Sequence, residues 1–360
     1  MDFRLPDYKA PDFSVEPLAS SPNVSTKTVE KDGVAPDNYH ATTIFPEYFK
    51  INGTWVLAEK SRMDCVVVVK NEQELEVKEF RRLIKGEQVV VGRSENGEEG
   101  IYVYTDGFKN NGKFDECFVF RTGRSRESSF SMDYDRLYEL LRHEKENGFI
   151  VWVLGPAVVF DYDSRCAMVS LINKGYVNAV LAGNALATHD LEGAIFKTAL
   201  GQDIYHQSSC AKGHYHHIDV INRARQYDSL EEFVTAEGIS DGIVHACIKN
   251  KVPLVLCGSI RDDGPLPGVI SDVYQAQNKM REYTKQATTV IGMATQLHTI
   301  ATGNMTPAYQ VVNGRVRPVF IYSIDISEFA ANKLRDRGTL EVTSIITNVQ
   351  DFLVNLYRNL

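Results

Sequence analysis

Apolar and polar positions change their period once along this chain of 360 residues. Up to about residue 125, apolar positions come in short runs: Thr54–Leu57, Asp64–Val69, Gln88–Gly92 and Gly100–Tyr104. Glu95-Asn96-Gly97 and Lys109-Asn110-Asn111-Gly112 separate such runs. Gly and Asn tolerate the positive φ of tight turns, so the pattern predicts a small antiparallel β domain over 36–125. Residues 1–35 are rich in Pro, Ser, Asp and Lys without periodicity and predict an extended or poorly ordered N-terminal arm.

From residue 126 onward, apolar runs alternate with helical spacing. Asp135–Asn147 carries Leu137, Leu140 and Leu141 on one helical face, and Phe149–Leu154 reads as a strand. A helix over Ser164–Lys174 leads to a strand at Val177–Ala182. Further strands are expected at Val252–Leu256, Thr288–Met293, Val319–Ile324 and Leu340–Ile346, with helices between them and a closing helix at Val349–Asn359. Strands alternating with helices build a parallel sheet, so residues 126–360 predict a doubly wound α/β domain.

The charge balance narrows the partners. A net charge of -8, with no basic stripe, argues against nucleic acid, whose phosphates need clustered cations. No apolar run reaches the ~20 residues that cross a bilayer, and Met1–Pro6 lacks the pattern of a signal peptide, so no membrane partner is expected. The cysteines at 65, 117, 166, 210, 247 and 257 form no C-x-x-C pair. Scattered thiols inside apolar patterns read as buried and reduced, which points to the cytoplasm.

Parallel sheets bind ligands at the carboxyl ends of their strands, which singles out five segments. Cys257-Gly258-Ser259-Ile260-Arg261-Asp262-Asp263-Gly264-Pro265-Leu266-Pro267 follows the strand ending at Leu256. It concentrates one guanidinium and two carboxylates between glycines and prolines, a composition for holding a polar group rigidly; a tight turn with an Arg–Asp pair is the alternative. Gly155-Pro156-Ala157 follows the first strand, where a backbone can approach a pyrophosphate. Gly183–Glu192 offers Asn184, His189, Asp190 and Glu192 for hydroxyl binding or proton transfer, unless Thr188 or Asp190 simply caps a helix. His298 and Asn304 follow the strand ending at Met293, and His298 is either an acid–base group or a buried histidine satisfied by the backbone. Asp325 ends a strand, as ribose-binding acids or N-caps do. Cys210, His214, His216 and His217 lie within eight residues. With no second knuckle to complete a zinc site, they read better as a ligand-facing histidine cluster than as a metal centre.

Seven runs carry a resemblance: GPA at 155–157, GNALATHDLE at 183–192, GHYHH at 213–217, GSIRDDGPLP at 258–267, LHTIATGN at 297–304, DI at 325–326 and LRDRG at 334–338. In this order they resemble the NAD-dependent ornithine cyclodeaminase family unrelated to mu-crystallin. That family has been labelled a lysine-oxoglutarate reductase/saccharopine dehydrogenase conserved region, and some of its members are fused to an arginine dihydrolase domain. The resemblance covers about residues 36–360; a more distant likeness, over Ile270–His298, is to the NAD-binding fold of deoxyhypusine synthase.

The resemblance implies a Rossmann-like sheet, NAD as cofactor, a small amino-acid substrate and a homo-oligomer. The implied reaction converts ornithine, or a close diamino acid, to proline or a cyclic imino acid plus ammonia by transient hydride transfer. It implies catalytic roles for Arg261 on the substrate carboxylate, Asp262 and Asp263 on the ammonium or its protons, and His298. It implies cofactor binding by Gly155, Pro156, Ala157, Gly183, Asn184, Asp190, Ser259, Asn304 and Asp325, with no metal. The chain departs from the family at Phe160-Asp161-Tyr162, where a His-Thr-Gly run is usual, at Ser125–Ser129, and at Ile44-Phe45-Pro46 after Thr42-Thr43. These departures keep two alternatives open: an NAD-dependent enzyme acting on another amino acid or imine, and a non-catalytic NAD-binding sensor.

Overall fold

The computed structural model describes residues 3–71, 74–108, 131–260, 262, 264–327, 329–337 and 339–360, with the backbone alone for 335–337. Its first part holds seven strands: β1 Ser25–Thr28, β2 Glu47–Ile51, β3 Thr54–Leu57, β4 Val66–Asn71, β5 Glu74–Lys78, β6 Gln88–Val91 and β7 Ile101–Val103. They form two antiparallel sheets, β1-β6-β4-β5 and β3-β2-β7. Val66, Val68 and Val89 cluster on one side of the larger sheet, while Val67 and Val90 pack with Phe49 and Ile101 on the other. The period-2 alternation of a strand makes this division.

The second part runs α1 Ser131–Asn147, β8 Ile150–Leu154, α2 Tyr162–Asn173, β9 Ala179–Gly183 and α3 Asn184–Phe196. The short pair β10 Thr198–Ala199 and β11 Gln202–Asp203 precedes α4 His216–Ala224, α5 Leu230–Ala236 and α6 Ile243–Lys249. Then come β12 Leu254–Cys257, α7 Val273–Thr284, β13 Thr289–Met293 and α8 Gln296–Met305. The hairpin β14 Tyr309–Val312 and β15 Arg315–Pro318, β16 Phe320–Asp325, α9 Phe329–Arg337, β17 Glu341–Ile346 and α10 Val349–Asn359 complete it.

Six parallel strands pair in the order β12-β9-β8-β13-β16-β17. In chain order this is 3-2-1-4-5-6, the doubly wound Rossmann arrangement, and winding reverses between β8 and β13. Ile150-Val151-Trp152-Val153-Leu154 is buried at every position because both faces of the sheet are covered. Trp152, Val180 and Ile324 pack with Leu171, Leu186 and Phe352 of α2, α3 and α10. Val151, Leu181 and Val290 meet Met280, Met305 and Leu334 of α7, α8 and α9.

The N-terminal arm is not loose. Ser25–Thr28 pairs along β6, residue for residue with Val91–Gln88. Upstream, Phe13 stacks on Trp55 at 5.2 Å, and Phe3 lies against His143 and Phe320 at 5.2 and 6.0 Å. All four residues of β1 are exposed, so this edge strand shows no apolar alternation to read; a backbone edge and aromatic contacts of Phe3, Tyr8 and Phe13 hold the arm. The β and α/β parts are tied by Glu79, which takes Arg62 at 2.8 Å and Arg281 at 2.6 Å.

Candidate active site

The carboxyl ends of the parallel strands form one rim, and most of the singled-out residues lie on it. Gly155 follows β8, Gly183 ends β9, Ser259 and Asp262 follow β12, His298 lies in the first turn of α8 after β13, and Asp325 ends β16. At the winding reversal the loops meet without a gap: a Cβ on Gly155 would be driven into the Ala294 carbonyl. Pro156 and Ala157 start the short turn Pro156–Val159 that packs against α3. Arg261 and Asp263 lie outside the described residues.

A pocket of about 440 Å³ opens at the β9/β12 side of this rim. Asn184, Thr188 and His189 of α3 form one wall, and His217, Asn222 and Arg225 belong to the α4 side. Asp262 and Gly264 border it from the loop after β12. Two glycines bring α4 this close. A Cβ on Gly201 would sit 2.6 Å from the Gly213 carbonyl carbon, so the β10–β11 turn and the lead into α4 touch backbone to backbone. Thr188 and His217 line the pocket, and Thr188 Oγ1 and His217 Nδ1 are buried without a hydrogen-bond partner. Buried polar atoms are rarely left so.

Helix α3 has no apolar face and polar face; it is buried almost all round, and its polar side chains other than Thr188 are committed. His189 Nδ1 lies 2.8 Å from Glu192 Oε2. Glu192, fully buried, also accepts from Thr198 Oγ1 at 2.8 Å and from the Gly201 and Leu200 amides at 2.9 and 3.2 Å. Burial alone would raise its pKa, but the bonds from His189, the Gly201 amide and Thr198 outweigh that and hold it below the ordinary carboxylate range. A charged carboxylate fixes the His189 proton on Nδ1 and leaves Nε2 as an acceptor. The Phe160 ring meets His189 edge-on at 5.5 Å, so one of the departures from the family pattern abuts this histidine. Asp161 instead caps α2 through the Ser164 amide, Thr42 and Thr43 are bonded within the β part, and 125–129 lie outside the described residues.

Three singled-out residues take other roles. Asp190 is 1% exposed; Oδ1 takes Arg165 Nε at 2.7 Å and Oδ2 takes the Val244 amide at 2.8 Å. It pins α2 and the first turn of α6 to α3, so neither oxygen is left for a ribose. It does cap a helix, but α6 rather than its own, since α3 begins at Asn184. Asn184 Oδ1 accepts from the Leu266 amide at 3.0 Å and Nδ2 donates to the Gly264 carbonyl at 3.3 Å, so it positions the loop after β12. Asn304 lies at the far end of α8, about 12 Å down a helix that rises 1.5 Å per residue. There its carbonyl accepts from Arg62, away from the rim.

His298 stays at the rim, with Nε2 buried and unpartnered. Burial pushes its imidazole down to about 4, so it is neutral near pH 7 and suits a hydrogen bond to a ligand better than acid catalysis. Asp262 accepts from the Ser259 amide at 2.8 Å, and Asp325 from the Ser327 amide at 3.2 Å. Of the histidine cluster, His217 lines the pocket, His216 bonds Thr198 behind it, and His214 is exposed against Tyr215. No group of three His, Cys, Asp or Glu suited to a metal occurs among the described residues. The His189–Glu192 pair, three residues apart within a buried helix, is the strongest chemical feature of the site.

Strand order and rim pocket together define a Rossmann-fold α/β protein with a polar pocket at the carboxyl ends of its strands. Residues 136–356 match the family model described as arginine dihydrolase ArgZ-like, C-terminal, Rossmann fold, and 46–126 match that of its first C-terminal region. The chain is 38% identical to an ornithine cyclodeaminase of Methanopyrus kandleri, over 91% of this chain and 76% of that protein. It is 36% identical to that of Methanocaldococcus jannaschii, over 94% and 78%. A conserved LOR/SDH-labelled protein of Methanococcus maripaludis superposes with a TM-score of 0.84 at 34% identity, covering 94% of this chain and 98% of the other. AgrE in a ternary complex with ornithine and NAD+ gives 0.59 at 32% identity, covering 96% and 47%. The chain belongs to the ornithine cyclodeaminase family, of the ArgZ-like C-terminal type.

Proposed function

We propose that this chain is an NAD-dependent ornithine cyclodeaminase that converts ornithine to proline and ammonia. The observation that carries the chemistry is the pocket: a histidine oriented by a buried carboxylate, a cation and a carboxylate at its border, and two lining residues whose buried polar atoms lack a partner. When bound, NAD+ supplies a hydride acceptor for the substrate Cα and returns the hydride after ring closure.

The strand order is that of dinucleotide-binding sheets, whose ligands lie across the strand ends at the winding reversal, here between β8 and β13. Gly183 leads into α3 with no side-chain cap, which leaves first-turn amides for a pyrophosphate. Gly155, Pro156, Ala157 and Ser259 supply close backbone approach, Asp325 a carboxylate for a hydroxyl, and His298 Nε2 an unmatched polar atom.

Ornithine carries one carboxylate and two ammonium groups. Arg225 bears a guanidinium fork suited to the carboxylate, and Asp262 suits an ammonium. His189 Nε2 takes a proton from the substrate nitrogen, and Glu192 stabilises the imidazolium that results. The same imidazolium returns the proton to the departing ammonia. Arg261 and Asp263, on either side of Asp262, are proposed to add to these carboxylate and ammonium contacts. We read the protein as cytoplasmic, in keeping with the free thiols at 65, 166, 210, 247 and 257. Exposed apolar side chains at the rim, Leu297, Ile326 and Phe329, support a homo-oligomer.

Arg225→Gln tests the substrate's place. Loss of a charge-assisted carboxylate contact of ~1.5–3 kcal/mol should raise KM for ornithine by roughly 10- to 150-fold with little change in kcat. An unchanged KM removes Arg225 from the binding site.

A further inference from the structure

Behind the pocket, four side chains form one continuous hydrogen-bonded line. His189 Nδ1 meets Glu192 Oε2, Thr198 Oγ1 meets Glu192 Oε1, and His216 Nδ1 meets Thr198 Oγ1, each at 2.8 Å. One end borders the pocket. At the other, His216 is half-buried, its ring stacked flat on Phe196 at 4.5 Å. We propose that this line is a proton path between the pocket and solvent, with Thr198 and His216 as its positioning residues.

The need for a path rests on the cyclodeaminase reading. Both ammonium groups of ornithine must lose a proton, the α-nitrogen before hydride leaves Cα and the δ-nitrogen before it attacks. One imidazole holds one. Glu192 is a poor store, because four donors already favour its anion.

The outward pass balances as follows. His189 Nε2 takes the ammonium proton, and Nδ1 passes its own to Glu192 Oε2, which leaves the ring in its other tautomer. Rotation of the protonated carboxyl turns its proton toward Thr198, whose hydroxyl swings its own proton from Glu192 Oε1 to Nδ1 of His216 in the Nε2–H tautomer; the carboxyl proton then passes to Thr198 Oγ1, the hydroxyl proton to His216 Nδ1, and His216 Nε2 releases a proton to water. Each group ends neutral or charged as it began, with one proton moved out; the return pass is the reverse. A hydroxyl and two imidazoles permit both directions, since Thr198 has one proton to point either way.

The charged and titratable neighbours are few. His217 lies 5.9 Å from the His189 ring, Asp262 and Arg225 border the same pocket, and Arg223 sits over Phe196 beneath His216. None of them interrupts the line.

Thr198→Val cuts the path while leaving His189 on Glu192, and Thr198→Ser keeps it. Valine should lower kcat about tenfold with KM within about twofold, serine should retain most of the activity, and added imidazole should restore the valine variant. Wild-type kcat in Thr198→Val, or a loss that imidazole does not lift, overturns the path. Inactivity of the wild-type chain towards ornithine would instead strike the cyclodeaminase reading. The path is then judged by nitrogen-resolved NMR titration of His189 and His216. Coupled titration in the wild type that becomes independent in Thr198→Val supports it, and independent titration in both overturns it.

Discussion

Replacing His189 with alanine should lower kcat for ornithine by ~10²–10⁴-fold, the span that a positioned acid–base group contributes, with KM changed only a few-fold. The expectation follows from which nitrogen is free. Glu192 takes Nδ1 at 2.8 Å from within the protein, so Nε2 is left to meet the substrate. Glu192→Gln should reproduce much of the loss, although its shape is kept. Every neighbour of this carboxylate is a donor, so a glutamine must set its own N–H group against one of theirs. Steady-state kinetics with ornithine checks both variants, and circular dichroism confirms that each is folded. A His189→Ala enzyme with undiminished kcat would move the proton chemistry elsewhere on the rim.

The second large effect is on stability. Asp190→Ala should destabilise the fold by about 3–5 kcal/mol, the usual result of removing one partner of a buried ion pair. Arg165 is 1% exposed and would keep, besides the residue-190 carbonyl, only the carboxylate of Asp241, which is 44% exposed, and the first turn of α6 would lose its acceptor at the Val244 amide. At about 2–4 °C per kcal/mol for a domain of this size, Tm should fall by roughly 10 °C. NAD+ affinity measured below that transition should stay close to wild type. A variant of normal Tm that binds NAD+ weakly would return Asp190 to the cofactor.

The sheet was legible because its signal is strong. Buried parallel strands read as unbroken apolar runs, and every strand of the six-stranded sheet lies within about two residues of its expected place. What escaped notice was held by backbone chemistry or by partners distant in sequence. β1 is wholly exposed and owes its existence to the edge of β6. The β14–β15 hairpin turns on Asn313-Gly314, both at positive φ (52° and 75°), the same two-residue signal that joins β2 to β3 at Asn52-Gly53. Both Asn-Gly pairs stand in the sequence, so those hairpins could have been found.

The site divides in the same way. Strand-end residues were predictable from the rule that loops there face the ligand, and Gly155, Gly183, Asp262 and Asp325 do lie on one rim. Which polar residue of Asn184–Glu192 faces the pocket was not, because a helix buried on all sides shows no polar face. Asp190 and His189 are adjacent in sequence, yet one points to Arg165 and the other lines the cavity. The pairing of Glu192 with Thr198 and of Thr198 with His216 crosses two turns and a glycine contact that spacing does not reveal. Asn304 failed for a plainer reason: eight residues of helix carry it away from the rim.

The most direct test of the central claim is to incubate the purified chain with NAD+ and ornithine and to follow proline, ammonia and absorbance of the reduced nicotinamide together. Proline and ammonia should appear in equal amounts while reduced cofactor shows no net accumulation. Reduced cofactor rising in step with ornithine loss, or no proline at all, would contradict a hydride that leaves and returns at this rim.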